Sequence, residues 1–125
     1  MREWLYVEDC CAGVLAALEK GRPGGIYNLG SGEERPNLEV VRAVLVLLGK
    51  GEDLITFVKD RPGHDFRYRL DSSRAAAELG FAPRVPFEEG LARTVEWYLA
   101  HREWLFAKVH QLEDLWRRVY QRGWN

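Results

Sequence analysis

Apolar residues in this chain fall into helical stripes and into short runs bounded by glycine, proline or charge. Trp4 to Val7 predicts a short strand running straight into a helix from Val7 to about Glu19. Glu8 and Asp9 put negative charge in the first turn of that helix, and Lys20-Gly21, with Pro23 beyond, closes it. Gly25 to Gly30 predicts a short buried strand that ends in a Gly-Ser-Gly turn. Asn37 suits a helix N-cap, and Val40, Val41, Val44, Leu45, Leu47 and Leu48 form a broad apolar stripe ending at Gly49. Ile55 to Val58 predicts a third strand, and Arg67 to Leu70 a further extended segment. Asp71 or Ser72 caps a short helix, Ser73 to Leu79, which Gly80 stops. Beyond Pro83 and Pro86 a helix begins near Phe87 and carries Leu91, Val95, Trp97, Tyr98 and Leu99. Strands alternating with helices predict an α/β fold, a small mixed lobe with short strands and roughly four to five helices.

The tail from His101 differs in character. Leu105, Val109, Leu112, Trp116 and Val119 keep a seven-residue repeat for about two heptads. This predicts a long C-terminal helix, which either packs back on its own domain or offers a seam for self-association. The expected organisation is therefore a lobe over residues 1–100 and a helical tail over 101–125.

Composition narrows the function classes. A hydrophobic fraction of 46% and a charged fraction of 30% in 125 residues fit one soluble globular domain with a core. The chain has 18 Lys plus Arg against 19 Asp plus Glu, which argues against binding to nucleic acid or an acidic membrane surface. No apolar run approaches the ~18 residues of a membrane span. The charged start, Met1-Arg2-Glu3-Trp4, is not a signal peptide, so a cytoplasmic location is expected. Cys10 and Cys11 are adjacent, a poor arrangement for a structural disulfide, and nothing near them has zinc-ligand spacing. They are expected to be two small buried thiols on a helix face, with no metal bound.

The densest chemistry lies in Asp60-Arg61-Pro62-Gly63-His64-Asp65. Pro62 fixes its own φ and Gly63 permits positive φ, so the turn can aim a guanidinium and an imidazole at one anionic group such as a phosphate. Motifs for catalysis are missing. Gly30-Ser31-Gly32-Glu33-Glu34-Arg35 begins like a dinucleotide-binding G-x-G-x-x-G, but Arg35 holds the sixth place and the next helix starts only after Pro36. There is no phosphate-cradling G-x-x-x-x-G-K-[ST], no G-x-S-x-G elbow and no Tyr-x-x-x-Lys pair. No catalytic residue and no cofactor site are expected in this chain.

Four segments in register resemble a known family: Arg2-Glu3-Trp4-Leu5-Tyr6-Val7-Glu8-Asp9, Tyr27-Asn28-Leu29-Gly30, Asn37-Leu38-Glu39-Val40-Val41 and the Asp60–Asp65 run. A fifth, Val85-Pro86-Phe87-Glu88-Glu89-Gly90-Leu91 with Trp97-Tyr98-Leu99 after it, extends the match. Over roughly residues 2 to 102 the chain resembles the C-terminal lobe of dTDP-glucose 4,6-dehydratases, sugar-nucleotide enzymes of the extended short-chain dehydrogenase/reductase class. The resemblance implies an N-terminal Rossmann domain that holds NAD and the catalytic groups, and a smaller lobe that closes over the nucleotide. Met1 stands immediately before the arginine of the family's Arg-[Asp/Glu]-Trp motif, so the Rossmann domain is expected to be absent. Carried over by position, Arg2, Asn37, Arg61 and His64 are expected to face a nucleotide diphosphate, with Asp60 on the nucleoside side.

Several positions depart from the family pattern. Cys10 replaces a usual histidine, Gly13 weakens a helix interior, Gly51 replaces a proline, Phe66 replaces a second arginine, and Arg69 stands where a small residue is common. The expected function is a dehydratase-related nucleotide-sugar-binding lobe without independent catalysis, holding a dTDP-sugar or other nucleotide sugar weakly. The expected protein partners are a second copy of the chain or a separately encoded Rossmann chain. The alternative function is a non-catalytic scaffold that binds a protein through its aromatic C-terminal helix.

Overall fold

The computed structural model describes residues 1–58, 60, 63–109 and 112. The chain divides into two compact units, Met1–Ala92 and Arg93–Asn125. The fold class is mixed α/β, with helices far outweighing strands among the described residues.

In the first unit, strand β1 (Arg2–Glu3) leads through Tyr6 into helix α1 (Val7–Lys20). Tyr6 sits at the N-cap in extended conformation without a side-chain cap bond, while Glu8 and Asp9 occupy the first turn and Lys20 the last. The charge placement therefore matches the helix dipole at both ends. One face of α1 is made of small residues. Gly13 is buried there, and a Cβ on it would lie 2.8 Å from Leu29 Cδ1 and 2.9 Å from Phe81 Cε2. The glycine costs about 1 kcal/mol of helix propensity, but it allows the close approach that seats Leu29 and Phe81.

Helix α1 packs on helix α3 (Ser73–Leu79). Their shared core is Ala75, Leu79 and Phe81, with Leu5, Ala16, Ala17, Tyr27 and Leu29 against it. Gly80 ends α3 in the left-handed conformation at φ 70°, as a C-terminal glycine should. At the other end Ser72 is the N-cap, yet its side chain makes no cap bond. Asp71 Oδ1 instead accepts the Ser73 N–H at 2.9 Å.

Helix α2 (Asn37–Leu47) follows strand β2 (Glu34–Arg35), and Pro36 rather than Asn37 is its N-cap. The Pro36 carbonyl takes the N–H groups of Glu39 and Val40, so Asn37 is already inside the helix and cannot act as its cap. Helix α4 (Phe87–Ala100) begins in this unit, where Gly90 is buried against the Tyr6 ring.

The expected strands changed most. Strands β1 and β2 form an antiparallel pair in the register Arg2↔Arg35 and Glu3↔Glu34. Extended pairing thus begins two residues earlier than Trp4, and the ladder ends where Trp4 N–H reaches Glu33 O. Gly25 to Gly30 joins no ladder, and Ile26 is 79% exposed. Side chains hold that segment instead: Tyr27 Oη donates to Glu78 at 2.7 Å, Gly30 N–H to Ser72 Oγ at 2.8 Å, and Asn28 Nδ2 to Asp71 O. Ile55 to Val58 follows a 3-10 turn, Glu52–Leu54, and joins no ladder among the described residues. Cys10 and Cys11 do lie on α1 as free thiols, but Cys10 is half-buried and Cys11 exposed, so the expected burial fails.

In the second unit the helical hydrogen bonding continues past α4. His101 N–H donates to Trp97 O and Leu105 N–H to His101 O, and residues 102–109 are helical. Trp97 stacks on His101 with ring centroids 4.2 Å apart and meets Tyr98 and Trp104 edge-on at 5.3 Å. Leu105 is half-buried, and Val109 and Leu112 are exposed. Trp116 and Val119 of the heptad pattern lie outside the described residues.

Candidate functional site

Strand β1 and the turn around Gly63 converge, although 62 residues separate Arg2 from His64. Two links create the approach: Tyr68 N–H donates to Met1 O at 3.2 Å, and Gly63 turns the chain at φ 69°. Arg2 Nη2 then lies 2.7 Å from His64 Nε2. On the far side of the imidazole, His64 Nδ1 lies 2.7 Å from Asp60 Oδ1. A guanidinium can only donate, so His64 accepts at Nε2 and donates from Nδ1 to the Asp60 carboxylate. The result is a relay, Asp60–His64–Arg2, with a neutral imidazole between opposite charges. Its exposure grades outward, from a His64 side chain 23% exposed to an Asp60 side chain 78% exposed.

Arg2 is held on every side. Nη1 donates to Met1 O at 2.7 Å and to Phe66 O at 3.4 Å, Nη2 donates to Asp65 O at 3.1 Å, and the guanidinium lies 4.5 Å over the Tyr68 ring. The Tyr68 hydroxyl is itself hydrogen-bonded to the Asp65 carboxylate. A planar cation stacked on an aromatic face and forked onto carbonyls has few alternative positions, which is how arginine is pre-organised for anions. Nothing in the sequence pattern distinguishes Tyr68 or Asp65 as its supports; only the close run of residues 60–68 points to that region.

Register brings a second arginine close, because Arg35 stands directly opposite Arg2 in the ladder. Like charges facing across a strand pair are unfavourable. Here the Arg35 charge is offset by acids: Arg35 binds Glu39 at 2.5 Å and Glu88 at 2.6 Å, with Glu33 at 3.6 Å, and lies over the Phe87 ring. The Glu39 hydrogen bond chiefly raises the Arg35 pKa above its ordinary value. Asn37 is exposed at the start of α2, two residues past Arg35, and its side chain makes no hydrogen bond among the described residues. Arg61, the remaining expected contact, lies outside the described residues. The structure thus unites Arg2, His64 and Asp60 and leaves Asn37 apart from them.

A groove of about 870 Å³ lies elsewhere, lined by Glu3, Gly32, Arg67, Arg69, Asp71 and Phe81 among others. Arg2, Asn37, Asp60 and His64 do not line it. Its chemistry is largely self-satisfied. Glu34 is bound by Arg67 through two hydrogen bonds and lies 3.8 Å from Arg69, and the Arg67 bonds chiefly hold its carboxyl below the ordinary value. Glu3 Oε1 accepts the Gly32 N–H at 2.5 Å and Glu3 Oε2 the Leu70 N–H at 2.8 Å. The glycine-rich loop 30–32 is therefore already wrapped around a carboxylate of its own chain. A dinucleotide pyrophosphate at that loop would meet negative charge, so these residues do not fit NAD. The role of Glu3 as a staple between two loops was not visible in the sequence.

Comparison with known proteins agrees with this frame. The family described as GDP-mannose 4,6 dehydratase matches residues 1–94. A dTDP-glucose 4,6-dehydratase of Streptomyces niveus is 48% identical over 103 residues, covering 82% of this chain and 31% of the relative. The solved structure of DesIV, a dTDP-glucose 4,6-dehydratase from Streptomyces venezuelae with NAD and TYD bound, superposes with a TM-score of 0.77. It is 44% identical, over 82% of this chain and 32% of that one. WbmF from Bordetella bronchiseptica, solved with NAD+ and UDP, gives a TM-score of 0.72 at 28% identity, over 91% of this chain and 34% of that one. The chain spans about a third of the length of the curated relatives it matches. With that match running through β1, the Gly63 turn and the start of α4, the chain belongs to the GDP-mannose 4,6 dehydratase family.

Proposed function

We propose that this chain is a nucleotide-sugar-binding lobe related to dTDP-glucose 4,6-dehydratase that has no catalysis of its own. The observation that carries the reading is the 2.7 Å meeting of Arg2 and His64 beside Asp60. An anionic diphosphate takes the Nε–H of Arg2, whose guanidinium His64 and Asp60 hold in place. Arg61 adds a second guanidinium, Asn37 an amide, and Asp60 accepts from the nucleoside side. Names of the relatives support a dTDP-sugar as the ligand. The occupied glycine loop supports the absence of NAD from these residues, with the cofactor held by polypeptide of the kind the longer relatives carry.

Affinity follows from magnitudes. Three charge-assisted hydrogen bonds give roughly 5–9 kcal/mol gross. Association and side-chain ordering cost about 4 kcal/mol or more. The remainder corresponds to a dissociation constant of about a millimolar at best. Titration of dTDP and dTDP-glucose, followed by tryptophan fluorescence and melting temperature, is expected to show weak saturable binding. Arg2→Ala and His64→Gln each abolish it while the fold persists. A folded chain that shows no response at several millimolar ligand refutes the reading.

One observation favours a second role. Trp97, Tyr98 and Trp104 form an aromatic cluster in which each side chain is 40–48% exposed, a surface suited to protein contact. A scaffold function through that helix predicts that ligand titration fails while the chain still assembles.

A further inference from the structure

Arginine carries five N–H donors and no acceptor. In Arg2 the chain itself takes most of them. Nη1 serves the carbonyls of Met1 and Phe66, and Nη2 serves His64 Nε2 and the Asp65 carbonyl. Nε–H is the donor left without an acceptor among the described residues. An unencumbered arginine forks onto a phosphate through two parallel bonds. Arg2, with both Nη atoms engaged, has one donor to offer, and its value to a ligand depends on where that N–H is aimed.

Bonds along the edges of a guanidinium leave its plane free to tilt, because carbonyl oxygens accept over a broad range of directions. A contact on the face resists the tilt. The Tyr68 ring lies there, 4.5 Å from Arg2 Cζ. That ring is tied at both ends: its backbone N–H donates to Met1 O at 3.2 Å, and its hydroxyl is hydrogen-bonded to the Asp65 carboxylate. Asp65 thus acts twice, its carbonyl taking Nη2 and its side chain tethering the ring. Tyr68 is 51% exposed and takes no part in the Ala75–Leu79–Phe81 core, so packing does not explain its placement. We propose that Tyr68, tethered by Asp65, is a positioning residue that aims Arg2 Nε–H at an anionic oxygen of the diphosphate. It acts through Arg2 and does not itself touch the ligand. The ligand here is that of the nucleotide-sugar reading, whereas the placing of Arg2 stands on the geometry alone.

Arginine Nε–H resonances of the isotope-labelled full chain read that placing directly, and the peak lost in Arg2→Lys assigns it. In the wild type the Arg2 peak is expected away from those of exposed arginines, displaced by the Tyr68 ring current, and to move further on titration with dTDP. Tyr68→Phe keeps the aromatic face and loses only the tether, so it retains most of the displacement and binds dTDP within about twofold of the wild type. Tyr68→Leu removes the face. Its Arg2 peak joins those of exposed arginines, and its dissociation constant for dTDP rises about fivefold. Circular dichroism checks that each variant is folded, which the exposure of Tyr68 favours. Where Tyr68→Leu unfolds, Asp65→Ala at an exposed side chain serves instead, because it frees the ring and reduces the displacement. A folded Tyr68→Leu or Asp65→Ala whose Arg2 peak stays displaced overturns the proposal, as does a Tyr68→Leu that binds dTDP like the wild type. A wild type that binds no dTDP, with the displacement still lost in Tyr68→Leu, sinks the nucleotide reading and supports the placing of Arg2 by Tyr68.

Discussion

Asp9 shows how far one residue can outgrow its sequence role. In the sequence it reads as negative charge at a helix N-terminus, worth a few tenths of a kcal/mol when exposed. In the fold it is buried at 6% exposure, and its Oδ2 accepts the N–H groups of Arg84 and Val85 at 3.0 and 2.9 Å. Those two residues precede Pro86 and the first turn of α4, so Asp9 ties α1 to the segment that launches α4. Asp9→Ala leaves two sheltered N–H groups without an acceptor, at about 1–3 kcal/mol for each unsatisfied group. The expected result is a loss of about 2–4 kcal/mol in urea unfolding, with Asp9→Asn recovering part of it through its carbonyl oxygen. A loss no larger than that of Glu8→Ala, at an exposed neighbour on the same turn, would mean the two bonds contribute nothing beyond the helix dipole.

Elements divide into those legible from local pattern and those that need a partner. Helices α1, α3 and α4 fall where periodicity, first-turn acids and Gly80 put them, because their hydrogen bonds close within the segment. Strands cannot be read this way. Residues 25–30 and 55–58 have strand composition, but a ladder needs a second backbone, and neither pairs with one among the described residues. Conversely β2 sits in Glu34–Arg35, a polar pair that no strand pattern predicts; register with Arg2–Glu3 creates it. The candidate site divides similarly. Arg2, His64 and Asp60 were legible through motif order, whereas Tyr68 and Asp65 emerge only when the 63–68 segment folds against β1.

Ion pairs between elements bring pH dependence. Hydrogen bonds from Arg67 chiefly hold Glu34 below its ordinary 4.5, and those from Tyr27 and then Arg74 do the same for Glu78. A depressed folded pKa means that the unfolded chain takes up protons first as pH falls. These contributions are therefore complete above about pH 4.5 and disappear as pH falls through the lower folded values. Urea midpoints are expected to be flat from neutrality to about pH 5 and to drop below it. Glu34→Gln and Glu78→Gln should each lower the neutral-pH midpoint and flatten the acid slope. An acid slope unchanged in both variants would assign the pH dependence to other carboxylates.

On the scale of the whole molecule, the buried apolar set among the described residues is short: Val40, Ala75, Leu79 and Phe81. Against it stand Val14 and Leu18 on α1, Val46 on α2, and Phe57, Val58 and Phe66 in the extended segments, each more than half exposed. A fully buried leucine contributes about 1.5–3 kcal/mol, so leaving so many large side chains half in water forgoes much of what a chain of this length can gain. The denaturant slope m follows the surface exposed on unfolding. For this chain it is expected at or below the low end of the usual range, about 1 kcal/mol/M in urea. Native protein should also enhance the fluorescence of a hydrophobic dye that binds exposed apolar surface. If the protein instead gives an m typical of a 125-residue domain and binds no dye, the faces of α1 and α2 are covered in solution by the chain itself.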